Sequence, residues 1–502
     1  MLKLYPQAFE EFLKLSETGN VVPVVRTVLA DLHTPVEAFL RVAGDAKQAF
    51  LFESIEGGEQ IARYSFLAAN PFMTVRSRNS QTIVEKNGEE TFVSEKTLFE
   101  FLREHFKINK LARKENPPPL CGGAIGFIAY DAARWFEKSL NFNQNFEKDD
   151  SVWMFFRSLL VFDRLNQQIE IVSIVMTDEA QNNQEKLCQL FEDAVAETEQ
   201  IEKLLQKHLT LNFEKPPKSS EISSEFTSNW EKEDFLRAVE AVKEKIFAGD
   251  CYQVVLSQKF QRRISASPIN VYRALRTTNP SPYMFYIKFG EENLIGASPE
   301  MLIRCHGRKL EYRPIAGTRI RGKNIEEDLI LAEELRADTK EISEHTMLVD
   351  LGRNDLGRVA EFGSVEVETL MKVEKYSHVQ HLVTSLKANL RVNFDRFDAL
   401  AACFPAGTVS GAPKVRAMQI IDELEPTKRN VYAGAIGYID YAENLDTCIA
   451  IRTISLQNGM ASIQAGAGIV ADSIPESEYE ETENKARALI KAIEMAEMLI
   501  EN

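Results

Sequence analysis

The stretch NVYAGAIGYIDYAENLDTCIAIRTISLQNGMASIQAGAGIVADS, residues 430–473, indicates the fold class of the chain. Apolar and polar residues alternate within three runs, NVYAGAIGYIDY, LDTCIAIRTISLQNG and MASIQAGAGIVADS, and turn residues separate these runs. A period of two is typical of β-strands, and short turns between successive strands connect antiparallel neighbours. The stretch therefore predicts three consecutive antiparallel strands.

Similar runs occur elsewhere in the chain, for example VVPVVRTVL (21–29), CYQVVLSQKFQRRI (251–264) and SPYMFYIKF (281–289). Strands outnumber helices and arrive in hairpin-like runs, which predicts an α+β fold built on antiparallel sheets. The segment GGAIGFIAYDAARWFE (122–137) places glycines beside aromatic residues, and we interpret it as structural.

The clearest break in composition is LNFEKPPKSSEISSEFTS, residues 211–228. Its two prolines and its serine run show no hydrophobic period, which is typical of a linker. A chain of 502 residues has room for more than one compact unit. We therefore predict an N-terminal domain (1–210), a linker (211–228) and a second domain (229–500).

Charge and cysteine content narrow the expected partners and compartment. The net charge is −16, so we expect neither nucleic acid nor an anionic membrane surface as a partner. The six cysteines are scattered without a CxxC spacing, which fits a reducing compartment. No stretch has the length of an uncharged membrane span, and the first residues lack a signal-peptide core. These features predict a cytoplasmic protein.

Two pairs of glutamates share a three-residue spacing. Glu341 and Glu344 lie within DTKEISEHTMLVDLGRNDL, in a segment predicted to form one continuous helix over about 325–352. Positions i and i+3 of a helix share a face. Glu478 and Glu481 repeat the spacing on the last predicted helix. A lone ExxE in an acidic protein is usually a solvated helix face, but two such pairs can close around a hard cation such as Mg²⁺.

Glycine-rich and hydroxyl-rich segments supply candidate sites for an anion. In QAGAGIV, Gly466 and Gly468 leave backbone N–H groups unobstructed, which suits a carboxylate. In AGTVSGAPK, small hydroxyl residues precede a predicted helix N-terminus, which also favours negative charge. Arg452, Lys485 and His381 are further polar candidates, although each alone is compatible with a surface or core role. Together these residues indicate a metal-assisted lyase or transferase that acts on a small dicarboxylate.

Several long motifs stand in order between residues 228 and 497. They are PIAGTR (314–319), the run from Asp338 to Asp355, PAGTVSGAPK (405–414), the segment containing Tyr432 and Gly434, and Gly466-Ala-Gly468 followed by Pro475-x-x-Glu478-x-x-Glu481. In these motifs the chain resembles the chorismate-utilising enzymes. The resemblance implies antiparallel sheets packed face to face with helices outside, a four-layer α/β/β/α sandwich. It also implies an N-terminal regulatory part beside a chorismate-binding domain.

Two positions help to separate the chemistries of that family. Its aminodeoxychorismate synthase branch carries a lysine nucleophile where this chain has Ala316, and its water-adding branches carry a lysine base that matches Gln253. The resemblance therefore implies the branch that converts chorismate and ammonia to anthranilate and pyruvate, the first committed step of tryptophan biosynthesis. Two alternatives stay open: an aminodeoxyisochorismate or unusual aminodeoxychorismate synthase, and a non-catalytic tryptophan-binding regulatory protein on the same scaffold.

The resemblance also implies roles for individual residues. The implied ligands of Mg²⁺ are Glu341, Glu344, Glu478 and Glu481. The implied substrate-binding residues are Gly317, Thr318, Tyr432, Arg452, Gly466, Ala467, Gly468 and Lys485. Glu300 would protonate the leaving C4 hydroxyl, Thr408 and His381 would line the ring, and His381 would assist the later removal of a proton.

A second implied site lies in the N-terminal half. The segments LFES (51–54), RYS (63–65) and NPSPYMFY (279–286) resemble a tryptophan feedback site. The implied inhibitor-binding residues are Glu53, Ser54, Pro282, Tyr283, Met284, Tyr438 and Cys448. Inhibition would then couple two separate sites through domain displacement. The sequence shows no GxCxG nucleophile loop of a glutamine amidotransferase, so use of glutamine implies a separate amidotransferase subunit as partner.

Overall fold

Two large antiparallel β-sheets form the centre of the computed structural model, and helices cover their outer faces. The structure describes residues 3–55, 63–79, 81–86, 89–112, 119–140, 142, 148–207, 225–376 and 379–501.

The strands within these residues are between 2 and 11 residues long. They are β1 (Lys3–Tyr5), β2 (Val21–Leu29), β3 (Gln48–Glu53), β4 (Tyr64–Ala69), β5 (Met73–Arg78), β6 (Gln81–Lys86), β7 (Glu89–Ser94), β8 (Gly123–Ile128), β9 (Ser151–Phe156), β10 (Ser158–Asp163), β11 (Gln168–Met176), β12 (Thr227–Ser228), β13 (Gln253–Arg263), β14 (Tyr283–Phe289), β15 (Glu292–Ser298), β16 (Met301–His306), β17 (Lys309–Tyr312), β18 (Ile315–Ile320), β19 (Glu366–Lys375), β20 (Val379–Asn389), β21 (Gly411–Ala412), β22 (Ala435–Asp440), β23 (Leu445–Ile449), β24 (Thr453–Gln457) and β25 (Met460–Ile469).

The helices of the same residues are α1 (Phe9–Ser16), α2 (Pro35–Ala43), α3 (Leu98–Ile108), α4 (Gln184–Gln206), α5 (Lys232–Phe247), α6 (Pro268–Thr278), α7 (Ile325–Ala337), α8 (Thr339–Gly357), α9 (Arg396–Cys403), α10 (Gly407–Ser410), α11 (Lys414–Leu424) and α12 (Pro475–Glu501). Two 3-10 turns span Tyr130–Trp135 and Thr177–Ala180. No helix of the described chain is both long enough and apolar enough to cross a membrane.

The strand order interleaves the two halves of the sequence. The first sheet runs β1-β2-β11-β10-β4-β3-β14-β15-β24-β25-β13-β12, with β21 beside β13. The second runs β18-β20-β17-β16-β23-β22-β8-β9-β5-β6-β7, with β19 beside β20. Strand β3 pairs with β14, where Glu53 lies opposite Met284, and β8 pairs with β22, where Ile125 lies opposite Tyr438. Both sheets therefore contain strands from each side of the predicted linker.

The predicted linker, 211–228, lies largely outside the described residues, since only 225–228 belong to them. Thr227 and Ser228 at its end form β12 and pair with Gln261 and Phe260 of β13. The division at this segment stays a prediction about the sequence.

Side chains that alternate along the strands form buried clusters on both faces of the first sheet. On β3, Phe50 points between the two sheets, where it joins Phe156 and Ile303 in a buried cluster. Its neighbour Leu51 points the opposite way and packs with Ile493 of α12. Successive strand residues face opposite sides of a sheet, so both faces of the first sheet are buried. The antiparallel α+β class and the layered order of helices, sheet, sheet and helices are confirmed.

The prediction of one continuous helix over 325–352 is wrong in one respect, because the structure contains two helices there. Helices α7 and α8 meet at Asp338, whose backbone is extended (φ −71°, ψ 107°). Its carboxylate accepts hydrogen bonds from the backbone N–H groups of Lys340 and Glu341 at 3.0 and 3.2 Å. Aspartate is a strong N-cap because its side chain binds N–H groups that a helix start leaves free. The break places Glu341 in the first turn of α8.

Candidate active site

The four glutamates of the paired spacing lie in one electrostatic neighbourhood. Burial raises the pKa of Glu344, and the carboxylates of Glu341 and Glu481 raise it further. Burial also raises the pKa of Glu478, a hydrogen bond from Ser473 opposes this rise, and Glu481 adds to it. Like charges disfavour one another's ionised form. The N-terminal parts of α8 and α12 therefore bring these carboxylates close enough to act on one another.

Two of these glutamates already have basic partners. Arg319 donates to Glu341 at 3.0 Å, and Lys485 pairs with Glu481 at 2.6 Å. As they stand, the described residues contain no group of three His, Cys, Asp or Glu side chains that could hold a metal ion. The four glutamates nevertheless fit a hard divalent cation, because they offer several carboxylate oxygens, the ligands that such a cation prefers.

Glu300 lies in the short turn between β15 and β16, and its side chain is buried. Burial raises its pKa to about 8, although the Thr408 hydroxyl and the backbone N–H of Ile315 oppose the rise. The positive charges of Arg452 and Lys485 also act on this carboxyl from a distance. A carboxyl with such a pKa stays protonated at neutral pH, so it can donate a proton to a bound molecule.

Thr408 belongs to the four-residue helix α10, within the predicted hydroxyl-rich loop. Its Oγ1 atom is buried, and its hydrogen bond to the Glu300 carboxyl opposes the rise in the pKa of that group. Thr408 therefore lies beside the buried carboxyl of Glu300.

His381 lies on β20, directly opposite Thr318 of β18. Its Nδ1 atom lies 3.0 Å from the Gly317 carbonyl oxygen and 3.1 Å from Thr318 Oγ1. Burial lowers the pKa of His381, which favours the neutral ring. A hydrogen bond from Nδ1 to the carbonyl assigns the proton to that nitrogen and leaves Nε2 as a base. Gly317 has φ +71°, and a Cβ there would lie 3.1 Å from a Glu341 oxygen.

Gly466, Ala467 and Gly468 lie on strand β25 and not in a loop. They pair with Ser257, Leu256 and Val255 of β13. The pairing of β25 with β13 extends over these three residues, whereas β24 pairs only with the earlier residues 460–463 of β25. Small residues here keep the backbone accessible, because a side chain would fill the space in front of the strand.

Three further residues surround this glycine strand. Lys485 donates to the Gly466 carbonyl at 2.9 Å, which links the strand to the Glu481 pair. The Tyr432 hydroxyl would lie 2.8 Å from a Cβ at Gly466, and burial raises the pKa of Tyr432 to about 12. Arg452 adopts φ +49°, and its charge acts on both Glu300 and His381. Left-handed backbone in a non-glycine residue often marks a functional site.

Contacts and electrostatic interactions thus link the predicted catalytic, substrate-binding and glutamate residues into one region. A second predicted set lies elsewhere, in a cavity of about 220 Å³ between the two sheets. All seven residues predicted to bind an inhibitor line it: Glu53, Ser54, Pro282, Tyr283, Met284, Tyr438 and Cys448.

Polar groups in this cavity are organised by residues that the sequence did not indicate. Arg304 donates to Asp446 at 2.8 Å and to the Tyr283 hydroxyl at 3.1 Å, and that hydroxyl donates to Asp446 at 3.0 Å. A single arginine in the apolar run MLIRC was the only signal for Arg304. The Ser54 hydroxyl is buried without a partner in the described chain.

Residues of the chain already satisfy the hydrogen-bonding capacity of the Glu53 carboxylate. It accepts from the Tyr272 hydroxyl at 2.7 Å, from Arg276 at 2.9 and 3.2 Å, and from Arg164 at 3.3 Å. A buried carboxylate with several charged donors is a rigid anchor. It fixes the end of β3 and with it the position of Ser54.

Comparison with known proteins agrees with this geometry. A family model described as chorismate binding enzyme matches residues 47–491. The chain is 46% identical over 501 residues to anthranilate synthase component 1 of Acetivibrio thermocellus, covering 98% of this chain and 99% of that protein. It is 44% identical over 493 residues to the protein of the same name from Aquifex aeolicus, covering 98% of each.

A solved structure shows the same architecture. The crystal structure of anthranilate synthase component I from Streptococcus pneumoniae TIGR4 matches with a TM-score of 0.74 and 36% identity, covering 92% of this chain and 98% of that one. With a family model that matches most of its length, this chain belongs to the chorismate binding enzymes.

Proposed function

We propose that the chain is an anthranilate synthase component 1, which converts chorismate and ammonia into anthranilate and pyruvate. The observation that carries the proposal is the buried Glu300 carboxyl, whose pKa of about 8 keeps it protonated at neutral pH. Loss of the C4 hydroxyl from chorismate needs such an acid. The names and near-complete coverage of the similar proteins support the same activity.

The reaction has two stages, and residues of this chain serve each one. Ammonia forms a bond to C2 of the ring, the ring double bonds shift, and the C4–O bond breaks as Glu300 gives its proton to the departing oxygen, which leaves as water. In the second stage His381 Nε2 removes the proton from C2. The bond between the ring and the enolpyruvyl oxygen then breaks, the enol takes up a proton as pyruvate, and the ring becomes aromatic.

Substrate binding uses the surroundings of the glycine strand. The Tyr432 hydroxyl, the Arg452 guanidinium and the backbone N–H groups of Gly466 to Gly468 would hold the enolpyruvyl carboxylate, and Lys485 would add positive charge. Gly317 and Thr318 would shape the opposite wall, where Thr318 contacts His381 at 3.1 Å. Preorganised donors of this kind stabilise negative charge without reorganisation.

Glu341, Glu344, Glu478 and Glu481 would hold Mg²⁺. When bound, this ion supplies a Lewis acid and a template for the ring carboxylate of the substrate. The raised pKa values of Glu344 and Glu478 support the assignment, because a cation would stabilise the ionised form that burial and the neighbouring carboxylates disfavour.

We propose that tryptophan binds in the 220 Å³ cavity and inhibits the enzyme from there. Aromatic side chains such as Phe66 and Tyr438 line the cavity and suit an indole ring. The unpartnered Ser54 hydroxyl suits a polar group of the amino acid. Regulation by the end product would then act on a site separate from the substrate.

Two further expectations complete the proposal. Ammonia would come from glutamine through a separate amidotransferase subunit, which the name "component 1" of the similar proteins supports. The protein would act in the cytoplasm, and the scattered spacing of its six cysteines, without a CxxC motif, supports a reducing compartment.

The test is a fluorescence assay of the purified chain with chorismate, Mg²⁺ and ammonium, with and without tryptophan. Anthranilate formation that tryptophan suppresses is the expected result. Consumption of chorismate without anthranilate would instead indicate an enzyme that stops before pyruvate elimination, and no consumption would overturn the catalytic proposal.

A further inference from the structure

Three side chains form a row across neighbouring strands of the second sheet, with the proposed base in the middle. His381 of β20 lies directly opposite Thr318 of β18 on one side and directly opposite Glu374 of β19 on the other. Residues that lie opposite each other on neighbouring strands have side chains on the same face of the sheet. Tyr376 is two residues beyond Glu374, and its backbone N–H donates to the Val379 carbonyl at 2.8 Å. Its side chain therefore lies on the His381 face as well.

The Tyr376 ring is in contact with the His381 ring. The two ring centres lie 5.6 Å apart, and the ring planes meet at an angle of 60°. This separation is within the range of a favourable aromatic pair. The proposed base therefore has an aromatic neighbour in addition to its hydrogen-bond partners.

Other residues hold Tyr376 in this position. Its hydroxyl donates to one oxygen of the Glu374 carboxylate at 3.1 Å, and the other oxygen accepts from Arg313 at 2.7 Å. Arg313 directly precedes the segment PIAGTR (314–319). The backbone carbonyl of Tyr376 accepts a hydrogen bond from Arg321. Because both its hydroxyl and its backbone are bound, Tyr376 can act as a rigid support.

The hydrogen bonds of His381 by themselves leave its ring free to turn. The Gly317 carbonyl oxygen and the Thr318 hydroxyl both contact Nδ1, at 3.0 and 3.1 Å. Both contacts lie at one corner of the ring, so they do not fix its plane. The contact with Tyr376 restricts rotation of the ring and thereby the direction of Nε2. Such alignment matters for proton transfer, because a misplacement of about 1 Å can cost about 10²-fold in rate.

We propose that Tyr376 is a positioning residue for His381 in the second stage of the reaction, and that it determines whether the chain completes anthranilate or releases the amino intermediate. In this stage Nε2 takes the proton from C2, the electron pair of that C–H bond forms a ring double bond, and the bond to the enolpyruvyl oxygen breaks. A misaligned ring slows this step and gives the intermediate time to dissociate. The first stage uses the acid Glu300 and does not need His381. This inference rests on the proposed function.

Chromatography of the products formed from chorismate, ammonium and Mg²⁺ tests this role. Tyr376→Leu removes the ring, so it should release the amino intermediate as at least about a tenth of the product, while chorismate consumption stays within about threefold of the original rate. Tyr376→Phe keeps the ring and loses only the bond to Glu374, so it should release a smaller share that still exceeds that of the original chain. Leu370→Ala is the matched control on the same strand, because Leu370 is 60% exposed, and it should not change the products.

A second measurement follows the transferred proton. With chorismate deuterated at C2, the isotope effect on anthranilate formation should be at least about twofold larger in Tyr376→Leu than in the original chain, because proton removal becomes slower. A purely structural defect would lower the rates of both stages alike and would change neither the product ratio nor the isotope effect. Thermal unfolding identifies any variant that has lost its fold.

Anthranilate as the only product of a folded Tyr376→Leu, with the original isotope effect, would overturn the proposal. Equal decreases in chorismate consumption and anthranilate formation would also overturn it. If the leucine variant loses its fold, Tyr376→Phe decides, and the original product ratio and isotope effect in that variant would overturn the proposal. These outcomes leave the proposed function intact, whereas an unsubstituted chain that forms no anthranilate would overturn both.

Discussion

The backbone N–H of Ile449 donates to the carbonyl oxygen of Glu300 at 3.0 Å. Ile449 directly follows Cys448, which lines the 220 Å³ cavity. The Ser298 hydroxyl donates to the Ile449 carbonyl at 2.7 Å, and Ser298 pairs with Tyr283, another residue of that cavity. The buried acid and the cavity therefore share one short hydrogen-bonded segment, which provides a physical route between them.

Ser298→Ala should weaken this route without filling the cavity. We expect tryptophan to bind with an affinity within about threefold of the original, while inhibition at saturating tryptophan becomes incomplete. Calorimetry measures the binding, and the anthranilate assay measures the inhibition. Complete inhibition in this variant would show that the coupling runs through other contacts.

Ser54→Phe should relieve inhibition by filling the cavity where the unpartnered hydroxyl lies. We expect the concentration of tryptophan needed for half inhibition to rise at least about tenfold, with kcat retained. Ser54→Ala is the matched control, because it removes only the hydroxyl, and one hydrogen bond is worth about 1 kcal/mol. Equal inhibition of Ser54→Phe and the original chain would remove tryptophan from this cavity.

Glu300→Gln should lower kcat by about 10²–10⁴-fold, because glutamine cannot donate a proton to the leaving oxygen. In the original chain, kcat measured at constant free ammonia should decrease as the pH rises through about 8, where Glu300 loses its proton. The residual activity of the variant should lack this basic limb. A basic limb that persists in Glu300→Gln would assign the acid to another group.

The pH dependence of the free energy of unfolding should also reflect the Glu300 carboxyl. The pKa of Glu300 is raised in the folded state from its ordinary value of 4.5 to about 8. Between these values Glu300 therefore binds more protons in the folded chain than in the unfolded chain. The contribution of Glu300 to the free energy of unfolding is largest below pH 4.5 and is lost by about pH 8. Comparison of denaturant unfolding between Glu300→Gln and the original chain should show this difference.

Glu341→Gln should abolish turnover that depends on Mg²⁺ while the chain stays folded, because it removes one implied ligand of the ion. Glu480→Gln is the matched control, since Glu480 is exposed and directly precedes the implied ligand Glu481. Addition of EDTA should stop the original chain, and Mg²⁺ should restore it. Full activity of Glu341→Gln with Mg²⁺ would contradict the assignment of the metal site.

The candidate site could be predicted from sequence because its residues lie in long local motifs. The spacing of Glu341 and Glu344, and of Glu478 and Glu481, needs only the period of a helix. The alternating run from 430 to 473 predicted three strands, and the structure contains four. The predicted strand 445–459 divides into β23 and β24, which lie in different sheets, and an alternating pattern does not show where a chain passes from one sheet to the other.

Such motifs do not predict contacts between segments that are distant in the sequence. The break at Asp338 was missed, because an aspartate within a helical pattern is also compatible with an uninterrupted helix. Arg304 and Asp446, and likewise Arg429 and Val255, are far apart in the chain and meet only after the sheets form.

The amino-acid sequence by itself determined the antiparallel α+β class, the family and the residues implied to act on the substrate, since these follow from local periodicity and contiguous motifs. Only the tertiary structure decided that both halves of the chain share the two sheets and that Glu300 is held protonated. Burial, and the pKa shifts that it causes, depend on every segment that packs around a group.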